Sequence, residues 1–172
     1  RMTIMESGNV GIGVAAPTSL LHVEAADGVS VNTHVATFKN LEATAGDSEG
    51  VLIQAGTSAN DAALEVNNKA GTSMFKVLGD GNVGIGTAAP DNTLHVHKAT
   101  AGSIAGYSNA PLVVENDDHC YIQLLSPNNV ESGLYMGDPE DVDIGTIGYS
   151  HSTNFMFFKT NASEAMRITS AG

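Results

Sequence analysis

The stretch Gly8-Asn-Val-Gly-Ile-Gly-Val-Ala-Ala-Pro17 opens a block that ends in Leu21-His-Val23. The block returns as Gly81-Asn-Val-Gly-Ile-Gly-Thr-Ala-Ala-Pro90, followed by Leu94-His-Val96, so that residue 81 repeats residue 8 at a distance of 73 positions. Internal repeats mark folds built from successive similar units. We therefore predict two related modules in series, residues 9–81 and residues 82–172, with the end of an earlier repeat at residues 1–8.

A short alternating segment leads into each copy of the block. Met2-Thr-Ile4 precedes the first copy and Phe75-Lys-Val77 precedes the second. A third segment of this kind, Met166-Arg-Ile168, precedes Ala171-Gly172, where a further copy of the block would begin. We therefore expect the chain to be a fragment of a longer protein. The second module is the longer one, and its additional residues fall at about 124–152, which we predict to be an insertion in a receptor-contacting head.

Apolar residues alternate at period two in seven places, which is typical of half-buried β-strands. The pairs are Met2/Ile4, Val10/Ile12, Leu21/Val23, Leu64/Val66, Phe75/Val77, Leu94/Val96 and Met166/Ile168. Asp80-Gly81 indicates a tight turn, since glycine tolerates positive φ, and Pro17 and Pro90 should then redirect the chain. Only residues 59–64 hint at a helix, and that segment is too short. The predicted fold class is all-β.

Glycines occupy one face of the repeated strands, in Val10-Gly-Ile-Gly13 and Val83-Gly-Ile-Gly86. Close approach of another backbone would explain them, and three chains wound about one axis would supply it; glycine bulges in a monomeric sheet are the alternative. Aromatic residues make up 5% of the chain and Trp is absent, so burial must be borrowed from neighbouring chains. The residues predicted to face this shared interior are Ile4, Val10, Ile12, Leu21, Val23, Val77, Val83, Ile85, Leu94, Val96 and Ile168.

The formal net charge of −12 and the sequence pI of about 4.6 argue against a nucleic-acid partner, because phosphate binding needs clustered Lys and Arg. The sequence has no apolar run of the roughly 18 residues that membrane insertion requires. Cys120 is the single cysteine, so no disulfide can form within the chain. The glycine motif reverses the order of the dinucleotide fingerprint, and no cofactor is predicted.

Two blocks resemble the recurrent blocks of bacteriophage tail-fibre and tailspike proteins: Met166 to Gly172, and Gly81 to Pro90 with Leu94-His-Val96 downstream. Residues 133–161 are similar to the module that usually precedes the first of them. In that family such blocks often stand before an endosialidase-type intramolecular chaperone domain, which trimerises the fibre and is released by self-cleavage; the resemblance implies that such a domain would follow Gly172.

The resemblance implies an elongated homotrimer of intertwined strands, a β-prism or triangular β-helix. It also implies a location in the virion tail fibre, assembled in the host bacterial cytoplasm. The expected partners are other virion tail proteins and a host-surface glycan or protein receptor.

The densest acidic run supplies the candidate metal ligands Asp138, Glu140, Asp141 and Asp143, because calcium prefers several oxygen ligands in one loop. The run lacks the pattern of an EF-hand, and a solvated acidic turn is the alternative. Three copies of His95 could also ring a metal on a threefold axis. An exposed or interchain hydrogen-bonded histidine is the alternative there, as it is for His22 and His97.

Tyrosines provide the candidate receptor contacts, Tyr107, Tyr121, Tyr135 and Tyr149, because aromatic faces can stack on sugars. Packing between chains is the alternative use of aromatics, and we expect it of Phe155, Phe157 and Phe158. No nucleophile elbow, zinc motif or paired-carboxylate frame occurs, so we predict no catalytic residue and no enzyme. A polysaccharide depolymerase, whose carboxylates need no local motif, and a monomeric carbohydrate-binding module remain as alternatives.

Overall fold

The structure, a computed structural model, describes residues 1–25, 34–41 and 50–172. Every regular element in those residues is a β-strand, and the strands form three sheets. The described residues include no helix that is long and apolar enough to cross a membrane. The predicted all-β class is confirmed.

The first sheet consists of β1 (Met2–Ile4), β2 (Val10–Ile12) and β3 (Leu21–Val23), in that order. β1 and β2 pair antiparallel across a turn in which Gly8, at φ 86°, donates its N–H to Met5 O at 2.9 Å. β2 and β3 pair parallel, with Val10 opposite Leu21. The first block of the repeat is therefore a hairpin extended by one parallel strand.

The second sheet contains five strands in chain order. They are β4 (Ala62–Asn67), β5 (Ser73–Leu78), β6 (Val83–Ile85), β7 (Leu94–His97) and β8 (Leu112–Glu115). β6 and β7 pair parallel with Val83 opposite Leu94, the same register as in the first copy, and β8 adds to β7 in parallel. The sequence repeat is thus also a structural repeat.

The parallel pairs are joined without a helix. Residues 13–20 connect β2 to β3, and residues 86–93 connect β6 to β7. Parallel strands usually need a crossover of a dozen residues or more, so these connections are short. The buried Pro17 and Pro90 lie within them, which agrees with the prediction that the prolines redirect the chain.

The third sheet is an antiparallel meander of β9 (Glu131–Met136), β10 (Gly145–Ser150), β11 (Phe155–Thr160) and β12 (Ser163–Ile168). Its first two strands lie inside the segment predicted as the insertion. Asn154 and Asn161 adopt positive φ in the two turns that follow, a conformation that asparagine tolerates better than most residues.

The chain divides into two compact units. One comprises residues 1–66 and 76–81, and the other comprises residues 67–75 and 82–172. The predicted lead-in and modules, residues 1–8, 9–81 and 82–172, stay a prediction.

Few apolar side chains are buried within one chain. Apart from Pro17 and Pro90, the described residues in that class are Leu78 and Phe157. Five of the residues predicted to face an interior are exposed, from 41% for Ile85 to 65% for Ile4; they are Ile4, Ile12, Leu21, Ile85 and Ile168. The other six are half-buried. The strands therefore form as predicted, while the interior that their apolar residues would line is incomplete in a single chain.

The glycine face of the repeat is covered by the chain itself. Gly11 and Gly84 are buried; a Cβ on Gly11 would lie 2.7 Å from Val14 O, and one on Gly84 would collide with Thr87 O. The expectation that other chains supply the approaching backbone at these glycines is wrong. The physical reason is the short parallel connection, which folds its own carbonyl groups back over the strand.

Candidate functional site

A buried histidine on β7 forms the centre of a polar cluster in the second unit. The side chain of His95 is 3% exposed, and its Nε2 lies 3.0 Å from Glu115 Oε2. The other ring nitrogen, Nδ1, accepts the backbone N–H of Asp91 at 3.4 Å. A neutral imidazole has one donor and one acceptor. Nε2 therefore carries the hydrogen and donates a hydrogen bond to Glu115 Oε2.

Glu115, on β8, receives bonds at both carboxylate oxygens. Oε1 accepts the backbone N–H of Ala101 at 2.6 Å, and Oε2 also lies 3.7 Å from Nε2 of His97. The bond from Ala101 is the main cause that holds the pKa of Glu115 below its ordinary value, with smaller contributions from Thr100 and from the two histidines. One carboxylate therefore ties β8 to β7 and to the loop that follows β7.

The loop before β8 is held by two residues of the 86–93 connection. The buried Asn92 donates through Nδ2 to Tyr107 O at 2.9 Å and to Ala110 O at 2.8 Å. Asp91 accepts the N–H of Gly106 through Oδ2 at 3.3 Å. Because these side chains satisfy backbone groups that lack strand partners, they fix the path of the chain into β8.

The first copy of the repeat lacks this arrangement. His22 occupies the position of His95 and likewise accepts a backbone N–H, from Thr18 at 3.4 Å, but it faces Glu24 at 3.5 Å. Ser19 stands where the second copy has Asn92. Lys39 stands in place of Glu115 when residues 37–40 are matched with residues 113–116, and residues 34–41 include no strand. The third parallel strand thus forms in the copy that has the two side chains to hold it.

Both ring nitrogens of His95 are therefore engaged within the chain, which removes the lone pair that a metal on a threefold axis would need. Sequence reasoning identified His95 but missed Glu115, because the two residues are 20 positions apart and no local motif joins them. A comparison of the two copies could have identified Glu115, because the second copy has this acidic residue where the first copy has Lys39.

A polar depression of about 550 Å³ lies beside the cluster, in the same unit. Its lining includes Asn82, Asp91, Ser108 and Asn109. Its volume is within the range of roughly 300–1,000 Å³ that is typical of small-molecule sites. Tyr107 is not part of this lining, but it contacts one of the lining residues: Asn109 Nδ2 donates to Tyr107 Oη at 3.4 Å, and the tyrosine side chain is exposed. The amide, hydroxyl and carboxylate groups can bind sugar hydroxyls beside an aromatic face.

The other predicted receptor tyrosines lie on different elements. Tyr121, in the segment after β8, stacks on His119 with 5.9 Å between ring centroids. Tyr135 and Tyr149 lie on opposite faces of the third sheet, because Tyr135 pairs with Thr146 and Tyr149 is three residues further along β10. Tyr149 is half-buried and donates to Asn154 Oδ1 at 3.2 Å. The structure does not bring the four tyrosines into one site.

The acidic run uses its carboxylates to form a turn after β9. Asp138 Oδ1 accepts the N–H groups of Glu140 at 3.0 Å and Asp141 at 2.9 Å, and Asp141 Oδ1 accepts that of Asp143 at 3.2 Å. Side chains of this type often close turns in this way. Within residues 1–25, 34–41 and 50–172, no three side chains of His, Cys, Asp or Glu are grouped as a metal site requires. The geometry favours the acidic turn over the metal site.

The chain matches no protein-family model and no curated protein. Among solved structures it is similar to that of a hyaluronidase from Streptomyces koganeiensis, at 17% identity and a TM-score of 0.30, over 96% of this chain and 82% of that one. A likeness this weak carries no argument about fold or function.

Proposed function

We propose that this chain is a structural and host-attachment segment of a homotrimeric viral tail fibre. The observation that carries the proposal is the exposure of apolar residues along the repeated strands. Ile4 on β1 and Ile12 on β2 lie on either side of the Thr3–Gly11 pair. Both side chains are exposed to solvent, as is Leu21 on β3. Apolar surface gains about 25 cal/mol for each Å² removed from water, so association with identical copies would stabilise the chain.

The pairing pattern supports a β-prism or triangular β-helix for the shaft. Short strands pair in parallel at one register in both copies, Val10 with Leu21 and Val83 with Leu94, through connections that lack a helix. Successive parallel strands of this kind can stack along an axis with the same face directed inward. A repeated fold of this type needs its neighbours to bury a continuous core.

Attachment is assigned to the polar depression beside Tyr107. Its exposed ring and the amides of Asn82 and Asn109 suit a host-surface glycan. One such site would bind weakly, whereas three sites on one fibre give an avidity that exceeds the single-site affinity.

The oligomeric state tests the first part of the proposal. Sedimentation equilibrium of the full chain should give a mass three times that of the 17.7 kDa polypeptide, with dissociation only on dilution or heating. A particle of 17.7 kDa at micromolar concentration would contradict the proposal and favour the monomeric carbohydrate-binding module.

A glycan array tests the second part. Tyr107→Ala should abolish any glycan signal of the wild-type trimer, because it removes the aromatic face beside the depression. The matched control is Phe38→Ala, which removes another exposed aromatic ring from the other unit. Loss of signal in both variants, or in neither, would argue against attachment at the depression.

A further inference from the structure

The cross-strand register of the third sheet separates its side chains into two faces. On one face, Gly133, Gly148, Phe157 and Arg167 form a row across the four strands. On the other, Leu134, Ile147, Phe158 and Met166 form the next row. Because successive residues of a strand point to opposite sides, the two rows lie on opposite faces.

The first face is covered by its own side chains along the two inner strands, β10 and β11. The Phe157 ring packs on Gly148, and the Arg167 guanidinium lies 3.7 Å from the centroid of the Phe155 ring. Arg167 also donates to both carboxylate oxygens of Glu164, at 2.9 and 2.7 Å. Thr146 and Ser150 on this face are buried. We call it the covered face.

The second face has no such cover. Its large apolar residues include Leu134, Met136, Ile147, Met156, Met166 and Ile168, which are between 36 and 53% exposed. Tyr149 and the half-buried Phe158 lie among them. Contiguous apolar patches of more than a few hundred Å² are uncommon on monomeric soluble proteins. We call this the open face.

Charge distinguishes the two faces more clearly than burial does, because Tyr135 at the edge of the covered face is also exposed. The charged residues of the four strands, Glu131, Lys159, Glu164 and Arg167, all lie on the covered face, while the open face has none. The whole chain carries a net charge of −12, so the net electrostatic interaction between two copies is repulsive. The uncharged face is where identical chains can approach without paired like charges.

We infer that the open face is the surface through which copies of this chain contact one another. The inference rests on the proposed homotrimer: three copies of one apolar face, directed at a common axis, bury one another by symmetry. It adds the location of the contact, with the row of Leu134, Ile147, Phe158 and Met166 at its centre.

Two neighbouring residues provide a matched test. Leu134 on the open face is 53% exposed, and Tyr135 on the covered side of the same strand is 67% exposed. Leu134→Asp should raise the concentration at which half of the trimer dissociates at least tenfold, whereas Tyr135→Asp should leave it unchanged. Sedimentation velocity over a dilution series measures both, with circular dichroism as the check that each variant is folded.

Cross-linking gives a second measurement that does not depend on a destabilising charge. In a Cys120→Ser background, which removes the exposed native thiol, Ile147→Cys should form covalent dimers with a short bis-maleimide. Tyr135→Cys in the same background should form few.

Each outcome has a distinct meaning. A monomeric wild type would overturn the proposed homotrimer, and this inference with it. A trimeric wild type whose Leu134→Asp variant is equally trimeric and whose Ile147→Cys variant does not cross-link would overturn the open-face contact alone. The second result would leave the homotrimer standing and assign the open face to some other molecule.

Discussion

The ring of Phe157 lies over the Cα of Gly148, its cross-strand partner in the third sheet. A Cβ added at Gly148 would come within 2.7 Å of Phe157 Cε1. The side chain of Phe157 is buried. The absence of a side chain at position 148 therefore creates the space in which the covered face packs.

Gly148→Ala should destabilise the protein by about 1–3 kcal/mol, because the added methyl group displaces a packed ring. Gly145→Ala in the same strand is the control. Its Cβ would meet Met136 Cβ at 3.3 Å, a milder contact that a shift of about a few tenths of an ångström relieves. Denaturant titration at a fixed protein concentration measures both. Equal costs would show that the packing of Phe157 on Gly148 has no special role.

His95→Ala should cost about 1–3 kcal/mol, since it removes a buried ring and leaves the Glu115 carboxylate without its donor. His119→Ala should stay within about 0.5 kcal/mol, as expected of a surface substitution, because that histidine is exposed and its ring contacts the exposed side chains of Asp118 and Tyr121. Thermal unfolding followed by circular dichroism compares the two. A larger loss for His119→Ala would contradict the proposed role of the cluster.

Lowering the pH should weaken the hydrogen bonds by which Glu115 joins β8 to His95 on β7 and to Ala101. The pKa of Glu115 is lowered in the folded chain from its ordinary value of 4.5, chiefly by the N–H of Ala101. A depressed pKa means that the ionised carboxylate stabilises the fold above the unfolded-state pKa, and that this stability is lost as the pH falls through the folded-state value. The stability difference between wild type and Glu115→Gln should therefore be largest near neutral pH and should close below about pH 4.5. A difference that grows on acidification would reverse the sign and refute the assignment.

Gly84→Ala should destabilise the repeat by about 1–3 kcal/mol, because the carbonyl of Thr87 occupies the space that the methyl group needs. Gly50→Ala provides the comparison, since a Cβ there meets no atom within 4 Å. Unfolding by guanidinium at matched concentrations measures the difference. If Gly84→Ala were as stable as Gly50→Ala, the short connection would have room to move, and the glycine would need another explanation.

Much of the local structure could be predicted from the alternation of residues. All seven alternating pairs lie in strands, and Gly81 adopts the positive φ, 96°, that its turn context indicated. These features depend on the side-chain period of a strand and on the steric freedom of glycine. Both are properties of a few consecutive residues, so the sequence contains them directly.

The parallel pairing of β2 with β3 was not predicted. Proline and glycine marked the connection between the two strands. The parallel register of Val10 with Leu21 depends on how residues 13–20 fold, which a local sequence pattern does not specify. The similar segments at residues 37–40 and 113–116 differ for a related reason. Only the second is a strand, and it is the one supported by Asn92 and Glu115.

The sequence by itself determined where the alternating strands and the repeated glycine strand lie and where their turns fall, whereas β8 to β11 were not predicted. The tertiary structure alone decided what lies against each face: the chain's own carbonyl over Gly84, the carboxylate of Glu115 beside His95, and solvent over about half of Leu134. The physical reason is that periodicity fixes the direction of a side chain relative to its neighbours. The group that it meets is set by contacts between residues far apart in the chain.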